Sequence, residues 1–532
     1  MKTRALPILA LSAVLALISM TAHAQSNPDQ ALLDALVKKG VLTEKEASQI
    51  SAEAANAVST APSSNIKIGD WVQQLNLGGD FRIRNQWDQR IPMVLTNPRL
   101  GPVDQVIQRD RWRFRLRLTA DFKLQGNFFG GVMLATGDNR TADSKNVTVT
   151  GGYDNYNIAL ARAFMGWAPT PWLTFIAGKQ ANPFYTTDLI YDPEVDPAGV
   201  VERVDFDKIF NWTFGEPVAE GKEGKAAPPP APAPGNSFEL ALIAGQFVFQ
   251  NNNADSGSTQ LKWDAYQFQE QLLARLKLGS NLTITEAPGF LAFTSSSSGG
   301  TPGVHGAIVP PTQVQGLTFD QTTGGNGDTL ANGQAFPVTQ RDLNIILAPG
   351  DITYKICGQP LSLYWDFAYN FSGDDRFNRD YGPLFSHYFY VGKSSTPSFS
   401  VQANPSFSDN SAWLVGLKFG QNKKAGDFSA SADYRQEGIS SIDPNINNSN
   451  FALSNLNSQG WTFNLAYNFT DFLTGVVTFY YSEALHPNLY GGYATGNTIN
   501  PLTKMQYPST QQYPIARDRQ DMIFQANLLM KF

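Results

Sequence analysis

Trp461-Thr462-Phe463-Asn464-Leu465-Ala466-Tyr467-Asn468-Phe469 alternates without a break between aromatic or Leu side chains and Thr, Asn or Ala. A period of two places successive side chains on opposite faces, so this stretch reads as a strand with one greasy and one polar face. Leu361 to Ser372 repeats the pattern, with Leu361, Leu363, Trp365, Phe367, Tyr369 and Phe371 on one side. Ser362, Tyr364, Asp366, Ala368, Asn370 and Ser372 take the other. Phe428 to Arg435 puts Ser429, Ser431, Asp433 and Arg435 on its polar face. A soluble sandwich would hide a Leu/Ile/Val face, but several apolar faces here begin and end in aromatics, as in Trp461 to Phe469 and Trp365 to Phe371. Aromatic girdles at the two water–lipid boundaries of a membrane barrel produce that arrangement. Strands of about 9–11 residues match a tilted span of the hydrocarbon layer.

Alternation of this kind predicts about sixteen strands, at 75–87, 111–123, 127–137, 158–168, 172–180, 200–212, 237–250, 260–278, 282–295, 343–356, 361–372, 412–419, 427–436, 460–469, 473–482 and 521–532. Connections alternate between short turns, such as Leu124-Gln125-Gly126 and Thr470-Asp471-Phe472, and long excursions at 296–342, 373–411 and 483–520. Short turns on one side and long loops on the other are the outer-membrane pattern. The expected fold is therefore all-β: a transmembrane antiparallel β-barrel of 16 to 18 strands. Residues 213–236, ending in a Pro/Ala run from Ala226 to Pro234, are long where the alternation demands a short turn. Either a strand pair hides nearby or this is a semi-rigid insertion.

Composition agrees. The 532 residues are 16% charged and 12% aromatic, and mean hydropathy is −0.25. Aromatic content excludes disorder, and one cysteine, Cys357, excludes a disulfide scaffold. Beyond the N-terminus no apolar stretch is long enough for a membrane helix. Net charge is −6, which argues against a nucleic-acid partner.

Residues 1–24 read as a secretory signal, with Lys2 and Arg4 before the apolar Leu6–Ile18 run and Ala22-His23-Ala24 as the cleavage site. Cleavage after about Ala24 would export the chain. Residues 25–64 read as a helical periplasmic segment and linker: Leu32, Leu33, Leu36 and Val37 fall at helical spacing before Gly40, and Thr43 to Glu46 form a capping box. The barrel is expected over 65–532. Its last strand carries Met522, Phe524, Ala526, Leu528, Met530 and Phe532 on one face, and it stops on an aromatic residue. That ending resembles the signal read by the outer-membrane assembly machinery, which makes this machinery an expected partner.

The segment Gly79-Asp80-Phe81-Arg82-Ile83-Arg84, the basic strand Arg109 to Leu118, Leu134-Ala135-Thr136-Gly137, Ala177 to Phe184, Asp188 to Asp192 and Pro197 to Val200 resemble a family of Gram-negative outer-membrane porins that open with a short helical segment. Leu33 to Thr43 is similar to that family's opening. The resemblance covers roughly a third of the chain. It implies a single-chain β-barrel pore of the outer membrane, and no particular solute.

Arg109, Arg111, Arg113, Arg115 and Arg117 share one face of a strand whose other face carries Trp112, Phe114, Leu116 and Leu118. At about 3.3 Å per residue the row extends for roughly 26 Å, comparable to the apolar band of a membrane barrel. Each arginine turned to lipid near the midplane would cost about 2–4 kcal/mol, so all five must face the lumen. Arg82 and Arg84 extend the wall, and Asp366, Asp433 and Arg435 complete the expected pore lining. A positive stripe attracts anionic solutes. Equally, the arginines brace the barrel if lumen acids such as Asp121, Asp366 and Asp433 neutralise them.

No nucleophile–histidine arrangement is legible around His305, His387 or His486, and no zinc cluster or P-loop occurs. The expected function is a passive porin, without enzymatic activity or cofactor, for small hydrophilic or anionic solutes. Its setting is outer-membrane lipid, and homotrimer formation is an expectation from the general habit of porins. The competing reading is a non-conducting adhesin or structural barrel that binds partners through its long loops.

Overall fold

In the computed structural model, Met1–Ile68 and Gly69–Phe532 separate as two units. The structure describes residues 69, 71–97, 101–104, 106–137, 145–151, 155–210, 235–250, 265–294, 343–377, 406–444, 446–452, 456–486, 498–499, 506–507 and 518–532. The signal, the helical segment, His305, His387 and the greater part of the Pro/Ala insertion lie outside the described residues, as do 295–342 and 378–405.

Sixteen strands form the wall among the described residues. They are β1 (Val72–Asn97), β2 (Ile107–Leu124), β3 (Phe128–Thr136), β4 (Ile158–Thr170), β5 (Leu173–Lys179), β6 (Ala198–Asp205), β7 (Ser237–Gln250) and β8 (Ala265–Leu278). Then follow β9 (Leu282–Glu286 with Gly289–Phe293), β10 (Asn344–Leu347 with Gly350–Ile356), β11 (Gln359–Asn370), β12 (Ser411–Gly420), β13 (Phe428–Glu437), β14 (Ser458–Asn468), β15 (Leu473–Ala484) and β16 (Asp518–Lys531). Each pairs antiparallel with its chain neighbours. β16 returns to β1 in a register running from Asp80 opposite Lys531 to Pro92 opposite Asp518, which closes the cylinder. Closure leaves no free edge, the condition for a sheet to cross lipid with its backbone satisfied.

The side chains sort inside-out. In β14, Trp461, Phe463, Leu465 and Tyr467 are 44–61% exposed, whereas Thr462 and Asn468 are 2% exposed. The greasy face is therefore the outer one, meant for acyl chains. Aromatic pairs gather near both ends: Phe128–Trp167 and Phe419–Phe428 by the short turns, Trp413–Tyr434 and Tyr434–Trp461 by the long loops.

The expected strands all exist, but β1 runs on to Asn97 beyond the expected 87, and three further strands differ from expectation. β6 stops at Asp205 instead of 212, and Phe206–Phe210 forms a short helix, so the chain leaves the wall early. β9 and β10 are each broken, at Ala287-Pro288 and Ala348-Pro349. A proline has no N–H for the ladder, and these two adjacent strands meet the defect side by side. Ala287 N–H to the Pro349 carbonyl, at 2.9 Å, reconnects them. Residues 211–234, over which the sequence left open a strand pair or an insertion, lie outside the described residues.

Two connections fold inward. Residues 180–197, between β5 and β6, and 438–457, between β13 and β14, pack Leu189, Ile190, Tyr191, Ile442, Ile446 and Leu456 against lumen-facing Leu291, Ile345, Leu347 and Leu414. Leu189 and Ile345 are fully buried. One side of the lumen is thus filled by an apolar core built from loops, and the polar side is left to β1, β2 and their neighbours.

Candidate functional site: an arginine wall facing an inner loop

The register of β1 on β2 decides the wall. It sets Asp80 opposite Arg117, Arg82 opposite Arg115, Arg84 opposite Arg113, Gln86 opposite Arg111 and Asp88 opposite Arg109. Like charges directly opposed repel, and here two such levels lie between carboxylates at either end. Asp88 accepts from Arg109 at 2.9 Å and Arg111 at 2.8 Å. Asp80 accepts from Arg115 at 2.8 Å and Arg117 at 2.6 Å. Both acids sit on the same even-numbered face of β1 as Arg82 and Arg84, so alternation alone could have found them.

The third carboxylate comes from the inner loop. Glu194 accepts from Arg82 at 2.9 Å and also from Arg115, and from the Lys145 N–H at 2.7 Å. It thereby bridges the opposed Arg82 and Arg115. Burial raises the Glu194 carboxyl, but Arg82, Arg115 and Lys145 outweigh it and bring the group down to about 2. Nearby Asp192 has no guanidinium at hydrogen-bond distance among its described partners. It accepts from Ser449 N–H at 3.0 Å and Ser449 Oγ at 2.7 Å. Burial first and the Glu194 charge second push it up to about 7.

Between wall and loop lies a cavity of about 410 Å³, lined by Arg82, Arg84, Arg109, Arg111, Arg113, Arg115 and Arg117 on one side. Asp188, Asp192, Glu194 and the Asn448-Ser449-Asn450 run form the other. The structure brings seven of the eight expected arginines to one space, braced largely by acids. Those acids are not the expected ones: Asp80, Asp88 and Glu194 take the role assigned to Asp121, Asp366 and Asp433.

Asp366, Asp433 and Arg435 differ from the pore-lining expectation in another way. They sit on the lumen face, but the inner loops roof them over, leaving them 1%, 4% and 0% exposed. They serve as anchors. Thr187 N–H and Oγ1 donate to Asp366, at 3.2 and 2.9 Å. Arg435 joins Asp188 at 2.8 Å and Asp433 at 2.9 Å, and the Phe451 ring lies under its guanidinium at 4.7 Å. Asn448 Nδ2 also donates to Asp188. Alternation shows which face a side chain takes and says nothing of whether a distant loop covers it.

His486 Nε2 lies 2.9 Å from Ser408 Oγ and 3.7 Å from Asp409 Oδ1. Both approach one ring nitrogen, and Asp409 caps the Phe407–Asn410 turn through Ser406. A nucleophile–base–orienter relay needs the two partners on different nitrogens.

Residues 92–297 match a protein family described as "Putative porin". Over that span the chain is similar to that family. The matched span contains β2 with its arginine row and the inner loop 180–197. No curated protein matches the chain in sequence. Among solved structures, the chain is similar to OmpT of Vibrio cholerae (TM-score 0.36, 9% identity, 86% of this chain and 97% of that one). It is also similar to OprB of Pseudomonas putida (TM-score 0.39, 10% identity, 86% and 94%) and OmpF of Salmonella typhi (TM-score 0.38, 10% identity, 86% and 97%). With its closed wall and apolar outer belt, the described chain is a β-barrel fitted to a lipid bilayer, similar to the porin family over residues 92–297.

Proposed function

We propose that the barrel is a passive, water-filled diffusion channel for small hydrophilic solutes, with a preference for anions. The observation that carries this reading is the cavity in which seven guanidiniums face three loop carboxylates, each of them already engaged by donors. A wall of fixed charge beside a narrow aqueous passage raises the local concentration of counter-ions and sets selectivity. The inner loops narrow the lumen on the apolar side, so a solute passes along the arginines. Export by the N-terminal signal, insertion guided by the aromatic last strand and assembly into trimers belong to the same proposal. It assigns the chain no cofactor and no catalysis.

Purified protein in a planar bilayer tests it. Stepwise conductance is expected, with a reversal potential in a KCl gradient showing chloride preference that shrinks in Arg84→Gln/Arg113→Gln. Persistent silence would favour the adhesin reading, and cation preference untouched by those substitutions would remove the anion claim.

A further inference from the structure

The outer belt departs from its apolar rule over one stretch, β6 to β9. On the lumen side Val201, Gln269, Gln271 and Thr285 are buried, so the residues that alternate with them point outward. These include Glu202, Glu270 and Glu286, and Gln246 of β7 takes the outer face between buried Gly245 and Phe247. Glu202, Gln246 and Glu270 are exposed. Glu202 is the fifth of eight residues in β6 and Glu270 the sixth of fourteen in β8, so neither stands at a strand end. Among the described residues, none of these four side chains makes a hydrogen bond. Two other outward acids, Asp110 and Glu483, stand near the loop ends of their strands and are engaged. Asn85 Nδ2 donates to Asp110 at 2.9 Å, and Gln459 Nε2 donates to Glu483 at 3.0 Å.

The wall is also low here. β5 and β6 have seven and eight residues, whereas a tilted strand needs about 9–11 to cross the hydrocarbon layer. Lipid therefore suits this face poorly twice over, in the height of the wall and in the carboxyls set within it. The register centres the face on Ala244, which stands opposite Glu202 on one side and Glu270 on the other. With strands about 4.8 Å apart, the two glutamates flank an alanine-floored notch about 10 Å wide. Glu286 extends the face towards β10, between Ala274 and Gly350.

We propose that this face docks a second copy of the chain, about a two-fold axis that runs along the membrane normal beside Ala244. Strands of membrane barrels incline by about 35–45°, so the strands of two copies facing across such an axis cross near a right angle. A residue displaced along β7 in one copy then lies over a strand next to β7 in the other. Gln246 is displaced about 7 Å from Ala244, against a strand spacing of about 4.8 Å, so its amide falls over one of the two glutamates that flank Ala244. The two-fold repeats this contact in reverse, which makes the face complementary to itself. An amide both donates and accepts, and it meets a carboxyl in either protonation state. A small residue at the axis lets the two backbones approach closely, as at other contacts within membranes. The contact is independent of the channel reading, because a silent barrel can pair as a conducting one does. It is also distinct from a three-fold assembly, which does not set a residue against its own copy.

The test uses the full chain in lipid vesicles, with Cys357 replaced by serine. A disulfide needs Cα atoms within about 7 Å, so identical positions link only beside a two-fold axis. Oxidation of Ala244→Cys should give a band of two linked chains, and Phe463→Cys, outward on β14, should give none. Glu202→Leu/Glu270→Leu suits lipid better than the native pair. It should nonetheless weaken self-association about tenfold, read by energy transfer between dye-labelled copies at falling protein-to-lipid ratio. Glu202→Gln/Glu270→Gln keeps the hydrogen bonds and should retain most of the association. Absence of the link at 244 would give the face to lipid or to another membrane protein and overturn the proposal. Equal linking at 463, or unaltered association of the Leu variant, would overturn it as well.

Discussion

Arg435 is the residue on which the inner loops hang. Fully buried, it ties a loop acid, Asp188, to a wall acid, Asp433, and lies over Phe451 of the second loop. Removing one member of such a buried set leaves the others uncompensated, at about 3–5 kcal/mol. Arg435→Gln should therefore lower the urea midpoint of the refolded barrel, followed by tryptophan fluorescence, while an unchanged midpoint would deny the anchor. Asp192 and Glu194 give opposite pH signs. Asp192 titrates at about 7 in the fold, above the ordinary 3.8, so the stability it allows is greatest at acid pH and declines as pH rises towards 7. Glu194 titrates at about 2 against 4.5, so its contribution is full above 4.5 and is lost as pH falls towards 2. Amide exchange at Ser449 should thus accelerate between about pH 4 and 7 beyond its intrinsic rise and show no further excess above 7, and Asp192→Asn should abolish that excess. At this scale the sequence is partly transparent. Five arginines on one face force a lumen orientation through their cost in lipid, and Asp80 and Asp88 share that logic with Arg82 and Arg84. Glu194 is beyond such reasoning, because its place depends on where a loop more than seventy residues away comes to rest.

Elements were more legible than their ends. Alternation locates a strand because lipid on one face and a polar interior on the other enforce period two, so all sixteen were readable. Where an apolar loop core replaces water inside, the constraint relaxes. Leu291, Ile345 and Leu347 then sit on the lumen face of the strands that Pro288 and Pro349 interrupt. The folding-in of 180–197 and 438–457 could not be read from Gly, Pro and Asn content, since exposed loops share it. Gly178 illustrates the tightness where the first of these loops departs. Its φ is +117°, and a Cβ there would stand 2.4 Å from the Ala163 carbonyl oxygen. Backbone cannot yield as a flexible side chain does, so Gly178→Ala should cost about 1–3 kcal/mol. The expected sign is a lower temperature for loss of the compact, fast-migrating form on a semi-native gel; an unshifted temperature would show that β5 has slack.

For the whole molecule, closure is the organising fact: one cylinder turns its aromatic and aliphatic faces to lipid and gathers its fixed charge within. Cysteine labelling tests that arrangement most directly, in a background where the native Cys357 is replaced by serine. With Trp112→Cys and Arg113→Cys compared in membrane-embedded protein, a charged, membrane-impermeant thiol reagent should modify position 113 and reduce the current. It should leave position 112 unmodified. Rapid modification of 112 with protection of 113 would contradict the account, because the arginine row would then lie on the outer surface.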